Sequence, residues 1–291
     1  MRICISSENA GAWHPAGWTV VDYGPMRLRI QASAHGRPEP ETVLNAARAA
    51  PAYLDRVVQH KHLLARRVDQ ASTTLPADDL AACMVRSVAA IGDADLTPMA
   101  AVAGTLADAV ADQLFARGMT RVIVDNGGDI AIRLAATETV RVGVRSDIRA
   151  TALSHILRLD GRRSSWGVAT SGFGGRSFTR GIASAVSAVG THAAIADAAA
   201  TAIANTCMIE DSRILQLPAE EIDPNTDMTG IPVTVTIGPL PPESYRRAIE
   251  RALGKAEDLS SRGIITGALV AAGGMVAFTS KMAAQCGLDV A

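Results

Sequence analysis

The run Ala193–Asn205, AAIADAAATAIAN, constrains this chain more than any other stretch. Alanine is the strongest helix former and adds no atoms beyond Cβ, so the run predicts a helix that other backbones can approach closely. Its polar exceptions, Asp197, Thr201 and Asn205, recur at i, i+4 and i+8 and so share one face. Two pieces lead into it. Thr170-Ser171-Gly172 with Gly174-Gly175 is a hydroxyl-bearing, glycine-rich loop, and Ile182 to Val189 is an apolar run of strand length.

Two roles compete for the polar face. A carboxylate and a hydroxyl one turn apart offer two hard oxygen ligands to Mg²⁺ or Ca²⁺. Alternatively, Asp197 caps or pairs with a local group and Thr201 bonds back to the carbonyl one turn earlier. The spacing Asp-x-x-x-Thr does not choose between them.

With 291 residues, 48% of them apolar and 20% charged, the chain has the composition of a globular protein with a sizeable core. A net charge of −1 gives no electrostatic basis for binding nucleic acid or an acidic membrane. Cys4, Cys83, Cys207 and Cys286 stand singly and far apart, which excludes a CxxC-type metal pair and shows no disulfide framework. Cys207 ends an apolar helix and reads as a small buried hydrophobe. No apolar core followed by a cleavage site opens the sequence, and no apolar run of bilayer length lacks Gly, Pro or charge, so a cytoplasmic protein is expected.

Along the chain, the first thirty residues predict a β-ribbon turning at Tyr23-Gly24-Pro25-Met26, with Leu28 and Ile30 alternating with Arg27 and Arg29. Trp13, Trp18 and Tyr23 are among the few aromatics able to stack on a planar ring. Glu39 to about Ala71 reads as helical with a break at Pro51. His60 and His62, two apart, do not share a helix face and make a poor metal pair. A third helix is expected from Pro76 to Ile91, and Thr97–Gly118 predicts another that is thin around Gly104, carries Asp108 and Asp112 one turn apart, and stops at Gly118.

The segment Arg121–Leu134, RVIVDNGGDIAIRL, is the strongest hairpin signal. Asn126-Gly127-Gly128-Asp129 is either turn chemistry alone or a set of exposed backbone N–H groups suited to a phosphate or a carbonyl-rich ring. Strand-like runs follow as a meander that delivers Thr170 and Ser171 at a strand end. Two more strands, the amphipathic helix from Glu243 to Arg262 and a glycine-interrupted strand pair from Ile264 to Phe278 then close the pattern. This order predicts a mixed α/β or α+β layered fold rather than a doubly wound parallel sheet, in one domain over 1–291 that divides at most into two subdomains.

Four of these segments, in this order, resemble the ApbE-type family, the FAD:protein FMN transferases. They are AVAGTLADAVAD at Ala101–Asp112, VDNGGDI at Val124–Ile130, ATSG at Ala169–Gly172 and ADAAATA at Ala196–Ala202. The resemblance implies an α+β fold with mostly antiparallel sheet and packed helices. It also implies a divalent metal, Mg²⁺, held by Asp197, Thr201 and the carbonyl of Val102, and a flavin nucleotide, FAD or FMN, lined by Asn126, Gly127, Gly128, Asp129, Thr170, Ser171 and Gly172. The implied partner is a redox enzyme that accepts the flavin; a homo-oligomer is neither required nor excluded.

Two departures separate the chain from the transferases. Ala103 stands where they carry a lysine before the glycine, and Phe178-Thr179-Arg180-Gly181 runs into IASAVSAV where they carry His-Ile-x-Asp-Pro-x-x-Gly. The sequence is therefore closer to a compact ApbE-like branch lacking that segment. His192 is the histidine left near the metal helix, either a neutral base at a helix N-terminus or a capping residue. The expectation is a flavin-binding accessory protein. The competing readings are an active flavin transferase using another base and a non-catalytic assembly subunit.

Overall fold

The computed structural model describes residues 12–68 and 75–291; Cys4 and the expected helix end near Ala71 lie outside them. The chain opens with strands β1 (Thr19–Tyr23), β2 (Met26–Ala34) and β3 (Arg37–Pro38), then helices α1 (Pro40–Gln59), α2 (Lys61–Leu64) and α3 (Asp79–Ile91). A 3-10 turn, Pro98–Ala101, leads into α4 (Val102–Ala116). The strands β4 (Arg121–Asp125), β5 (Ile130–Leu134), β6 (Thr139–Val144), β7 (His155–Asp160), β8 (Ser165–Ser171) and β9 (Ala185–Gly190) precede α5 (Ala193–Thr206). After α5 come β10 (Ile214–Pro218), α6 (Ala219–Ile222), β11 (Pro232–Ile237), α7 (Pro242–Ser261), β12 (Gly267–Ala272), β13 (Met275–Phe278), α8 (Ser280–Cys286) and β14 (Asp289–Val290).

The main sheet runs β1-β2-β4-β5-β8-β9-β12-β13, with β3 on β2 and antiparallel pairing throughout. A smaller sheet, β14-β7-β6, lies apart, and β10 pairs with β11. The α+β expectation holds. The two-residue alternation of strands divides the core. Ala131, Ala169, Ala188, Ala268 and Val270 pack in the cluster that includes α1, α3, α4, α5 and α7, whereas Ile132, Leu134, Trp166, Val168 and Leu269 pack with β6, β7 and α8. Small residues therefore face α5 and large ones face away. At Gly167 a Cβ would lie 2.1 Å from the His192 carbonyl carbon, so only glycine admits the start of α5 here.

Several expectations need correction. Pro51 sits inside α1 without ending it; Ala46, Ala47, Ala50 and Leu54 bury that helix in the core, and this packing outweighs one lost hydrogen bond. The break comes at His60. The third helix begins at Asp79, not Pro76, because Asp78 accepts hydrogen bonds from the N–H groups of Leu80 and Ala81, both at 3.0 Å, and acts as its cap. The expected meander splits, since β8 pairs with β5 while β6 and β7 form the small sheet. The strand pair near Phe278 does not close the structure: α8 and β14 follow, and β14 joins β7. Pro98–Ala116, 19 residues of mean hydropathy 1.2, has the length and apolarity of a membrane span, but half of it is buried inside the protein and it carries Asp108 in a buried ion pair.

Candidate functional site

The site is built where α4 and α5 cross. A Cβ on Gly104 would lie 2.2 Å from the Ala193 carbonyl oxygen, so the two backbones touch at that glycine. The crossing lets each helix cap the other. Asp108 of α4 accepts from Ala194 N–H at the start of α5 (2.9 Å), and Asp197 of α5 accepts from Gly104 N–H in the first turn of α4 (3.0 Å). Both carboxylates thus satisfy orphan helix donors and meet the positive end of the partner helix. Asp108 is further neutralised by Arg133, buried at 3% exposure, which holds Asp108 at 2.8 Å and Asp112 at 2.6 Å.

The β4–β5 turn leans on this crossing. Asn126 N–H donates to the Asp129 carbonyl (3.0 Å), Gly127 and Gly128 have φ of +70° and +111°, and Gly128 N–H donates to Asp125 Oδ1 (2.8 Å). Asn126 is 2% exposed and both polar atoms of its side chain are engaged: Oδ1 accepts from Arg27 N–H (3.2 Å) and Nδ2 donates to the Ala103 carbonyl (3.2 Å). It fastens the turn to β2 and α4. Arg176, from the loop after β8, donates from Nη2 to the Asn126 carbonyl (2.8 Å) and lies directly over Gly127, where a Cβ would come within 2.0 Å of the guanidinium.

Beneath Arg176 two acids face each other. Burial pushes Asp197 up to about 7, opposed by the Gly104 and Ala103 N–H groups and the Arg176 charge. Asp129 is pushed well above the ordinary carboxylate range by burial and then by the Asp197 charge, while Arg176 and a hydrogen bond from Thr170 N–H oppose the shift. The residue Asp197 keeps some exposed surface, but its carboxylate is enclosed, and the enclosure sets its ionisation.

Thr170 Oγ pairs with Ser187 Oγ at 2.9 Å across β8 and β9. Ser171 ends β8, and Gly172, at a positive φ of +157°, starts a loop closed by Phe173 N–H on the Ala183 carbonyl (2.7 Å) and Gly175 N–H on the Gly172 carbonyl (3.2 Å). Thr201 is half-buried one turn after Asp197. The back-bond expected of a helical threonine is made instead by Thr206, to the Ala202 carbonyl at 2.9 Å. Asn205, the last of the polar stripe, accepts from Arg180 N–H (3.0 Å) and from Thr179 Oγ1 (3.4 Å), so it anchors the approaching loop.

The structure therefore brings together Asn126, Gly127, Gly128, Asp129, Thr170 and Asp197. His192 stands apart. It is the exposed residue preceding α5, its Nδ1 lies 3.2 Å from Thr191 Oγ1, and its backbone packs on Gly167 toward the opposite end of β8 from Ser171. Val102 is the first residue of α4, where helix geometry commits the carbonyl to the next turn, and its N–H donates to the Met99 carbonyl. Among the described residues no three His, Cys, Asp or Glu side chains group as a metal cluster. An ion beside Asp197 and Thr201 would have one carboxylate, one hydroxyl and water, a hard-oxygen set that suits Mg²⁺, which keeps several waters. Arg176 was missed by sequence reasoning; its only signal was that it is the one cation between Gly172 and Phe178.

A family model described as "AbpE bacteria" matches residues 11–278. The chain belongs to this ApbE-like family. It is also 35% identical over 129 residues to a UPF0280 protein of Methanococcus maripaludis strain C7, covering 44% of this chain and 52% of that one. A UPF0280 protein of Methanoregula boonei is 35% identical over 162 residues, 53% of this chain and 64% of the relative. The chain thus spans about half the length of the curated relatives it matches first. Among solved structures, the apo flavinyl transferase ApbE of Pseudomonas stutzeri superposes with a TM-score of 0.52 at 16% identity, over 92% of this chain and 95% of that one, which shows a shared fold. Ala103, immediately before Gly104, accepts at its carbonyl from Asn126 Nδ2.

Proposed function

We propose that the protein binds the phosphate-bearing part of a flavin, FAD or FMN, between the Asn126–Asp129 turn and the Thr170-Ser171-Gly172 loop, and serves a redox enzyme as an accessory protein. The observation that carries this reading is the Arg176–Asn126 hydrogen bond, which joins the two glycine-rich loops and sets a guanidinium over them. The exposed backbone of Gly127, the hydroxyls of the second loop and one arginine are donors of the kind a phosphate needs, while the Asn126 and Gly128 N–H groups are used inside the turn. Asn126 supports the turn, and the upward shifts of Asp129 and Asp197 lessen the negative charge that would otherwise repel a phosphate there. The family resemblance and the fold shared with a flavinyl transferase support flavin over other phosphate esters.

A divalent ion fits best at Asp197 and Thr201, with the carbonyl of Val102 as the weakest member of the set. Bound there, Mg²⁺ would neutralise a pyrophosphate. The chain's own residues then bind and orient. Arg176 fixes the phosphate end, and the α4–α5 crossing keeps Asp197 in place. Ala103 offers no charge, and His192 has no hydrogen bond to Asp129, Asp197 or Arg176. Covalent transfer of FMN to a protein hydroxyl therefore lacks an evident base, whose loss commonly removes about 10² to 10⁴ of rate.

Titration with FAD, with and without Mg²⁺, tests the proposal. Flavin fluorescence should change on binding, and Arg176→Ala should weaken it by about tenfold. Absence of binding in both conditions overturns the reading. Mass spectrometry of a threonine-bearing acceptor should show no FMN adduct; an adduct that disappears in His192→Ala would establish the transferase instead.

A further inference from the structure

At the opposite end of β8 from Ser171, a cavity of about 230 Å³ opens between the C-terminal end of α7, the start of β12 and α8. Its walls include Arg163, Thr191, Thr266 and Lys281, and none of its lining residues is acidic. Arg163 is held from two sides: its guanidinium stacks 4.5 Å from the centre of the Trp166 ring, and Nη1 donates to Thr266 Oγ1 at 2.7 Å. Lys281 donates to the Ser260 carbonyl at 3.1 Å, at the negative end of α7. Each contact has a structural purpose, but none satisfies the charge. Arg163 forms no ion pair with a carboxylate among the described residues, nor does Lys281. An arginine has five N–H donors and a lysine three, so most remain available.

Two cations at one concave site without a counter-ion repel each other, and an anion placed between them removes the repulsion. The planar fork of Arg163, already ordered by Trp166, loses little entropy on gripping an oxyanion, and Thr191 brings a further hydroxyl. The volume exceeds the roughly 30 Å³ of one water and falls below the roughly 300 Å³ at which drug-sized pockets begin. We propose that the cavity formed by Arg163, Lys281, Thr191 and Thr266 is a second binding site, for the phosphate group of a small anion, separate from the turn beneath Arg176.

Calorimetric titration with inorganic pyrophosphate in an Arg176→Gln background tests this, because that substitution weakens the first site. Binding should persist there and fall by about tenfold or more when Arg163→Gln or Lys281→Gln is added. Lys281 is exposed, so its variant decides the matter if Arg163→Gln fails to fold. No heat in the Arg176→Gln protein, or binding indifferent to both added substitutions, overturns the proposal. Loss of flavin binding alone leaves this result untouched. AMP as a second titrant identifies the source: equal affinity with pyrophosphate indicates a free oxyanion, tighter binding a nucleotide.

Discussion

Asp108 and Asp197 hold mirror-image positions, each capping the helix that carries the other, yet their surroundings differ. Asp108 is closed off by a buried arginine from β5, with every strong partner inside the fold. Asp197 has only backbone N–H donors in contact and a guanidinium at longer range, and burial holds its pKa near about 7. The first carboxylate is completed by the protein. The second is left to backbone donors, which is why the proposed metal position lies on α5 rather than α4, although both helices show an acid one turn along a thin, alanine-rich face.

The largest effect should come from Asp108→Ala, which leaves the buried Arg133 with only the more exposed Asp112 as a carboxylate partner and strips Ala194 N–H of its cap. A loss of about 3–5 kcal/mol in denaturant unfolding is expected. A loss under about 1 kcal/mol would put Asp108 and Asp197 in the same class and remove the contrast. Gly104→Ala comes next, because the new methyl collides with the Ala193 carbonyl; about 1–3 kcal/mol should be lost, with both caps loosened together.

Asp197→Asn should cost less at neutral pH, since an amide oxygen still accepts from Gly104. Its signature is in the pH dependence. An unfolded aspartate ionises near about 4, whereas folded Asp197 does so near about 7, so the folded state binds the proton more tightly. That stability is complete below about pH 4 and disappears as pH rises through about 7. The wild-type Tm should therefore fall between about pH 5.5 and about pH 8, and fall less in Asp197→Asn; equal slopes would mean that Asp197 is not the titrating group. Mg²⁺ needs the ionised carboxylate, so it should raise Tm more at the higher pH and only in wild type. The smallest effect is reserved for His192→Ala, within about 0.5 kcal/mol for an exposed residue, with FAD affinity unchanged.

Much of this was legible in local chemistry. The Asn126–Asp129 hairpin, the alanine helix and the stop at Gly118 follow from turn and helix rules that act within a few residues, and the structure places β4, β5, α4 and α5 accordingly. Local rules failed where tertiary packing decides. Pro51 reads as a break until the core beneath α1 is counted. Asn205 reads as one more polar residue on the Asp197 face, and its role is not visible until Arg180 is found on it. Arg176 is separated from Asn126 by fifty residues, and only the pairing of β5 with β8 shows that they meet.

The order of pairing also says something about time. From β1 to β13 the main sheet follows the chain almost without exception, each new strand adding beside an earlier neighbour, so a ribosome can lay it down progressively. The small sheet is different, because β7 receives its third strand from Asp289 and Val290. During synthesis the β6–β7 hairpin emerges more than a hundred residues before that strand and waits with one edge open. A chain cut after Gly287 should still assemble the main sheet and bind flavin, while whichever of the His155 and Ile156 amides is turned toward β14 loses its protection from hydrogen exchange and the other, turned toward β6, keeps it; unchanged protection of both would show that β14 only rests on a finished edge.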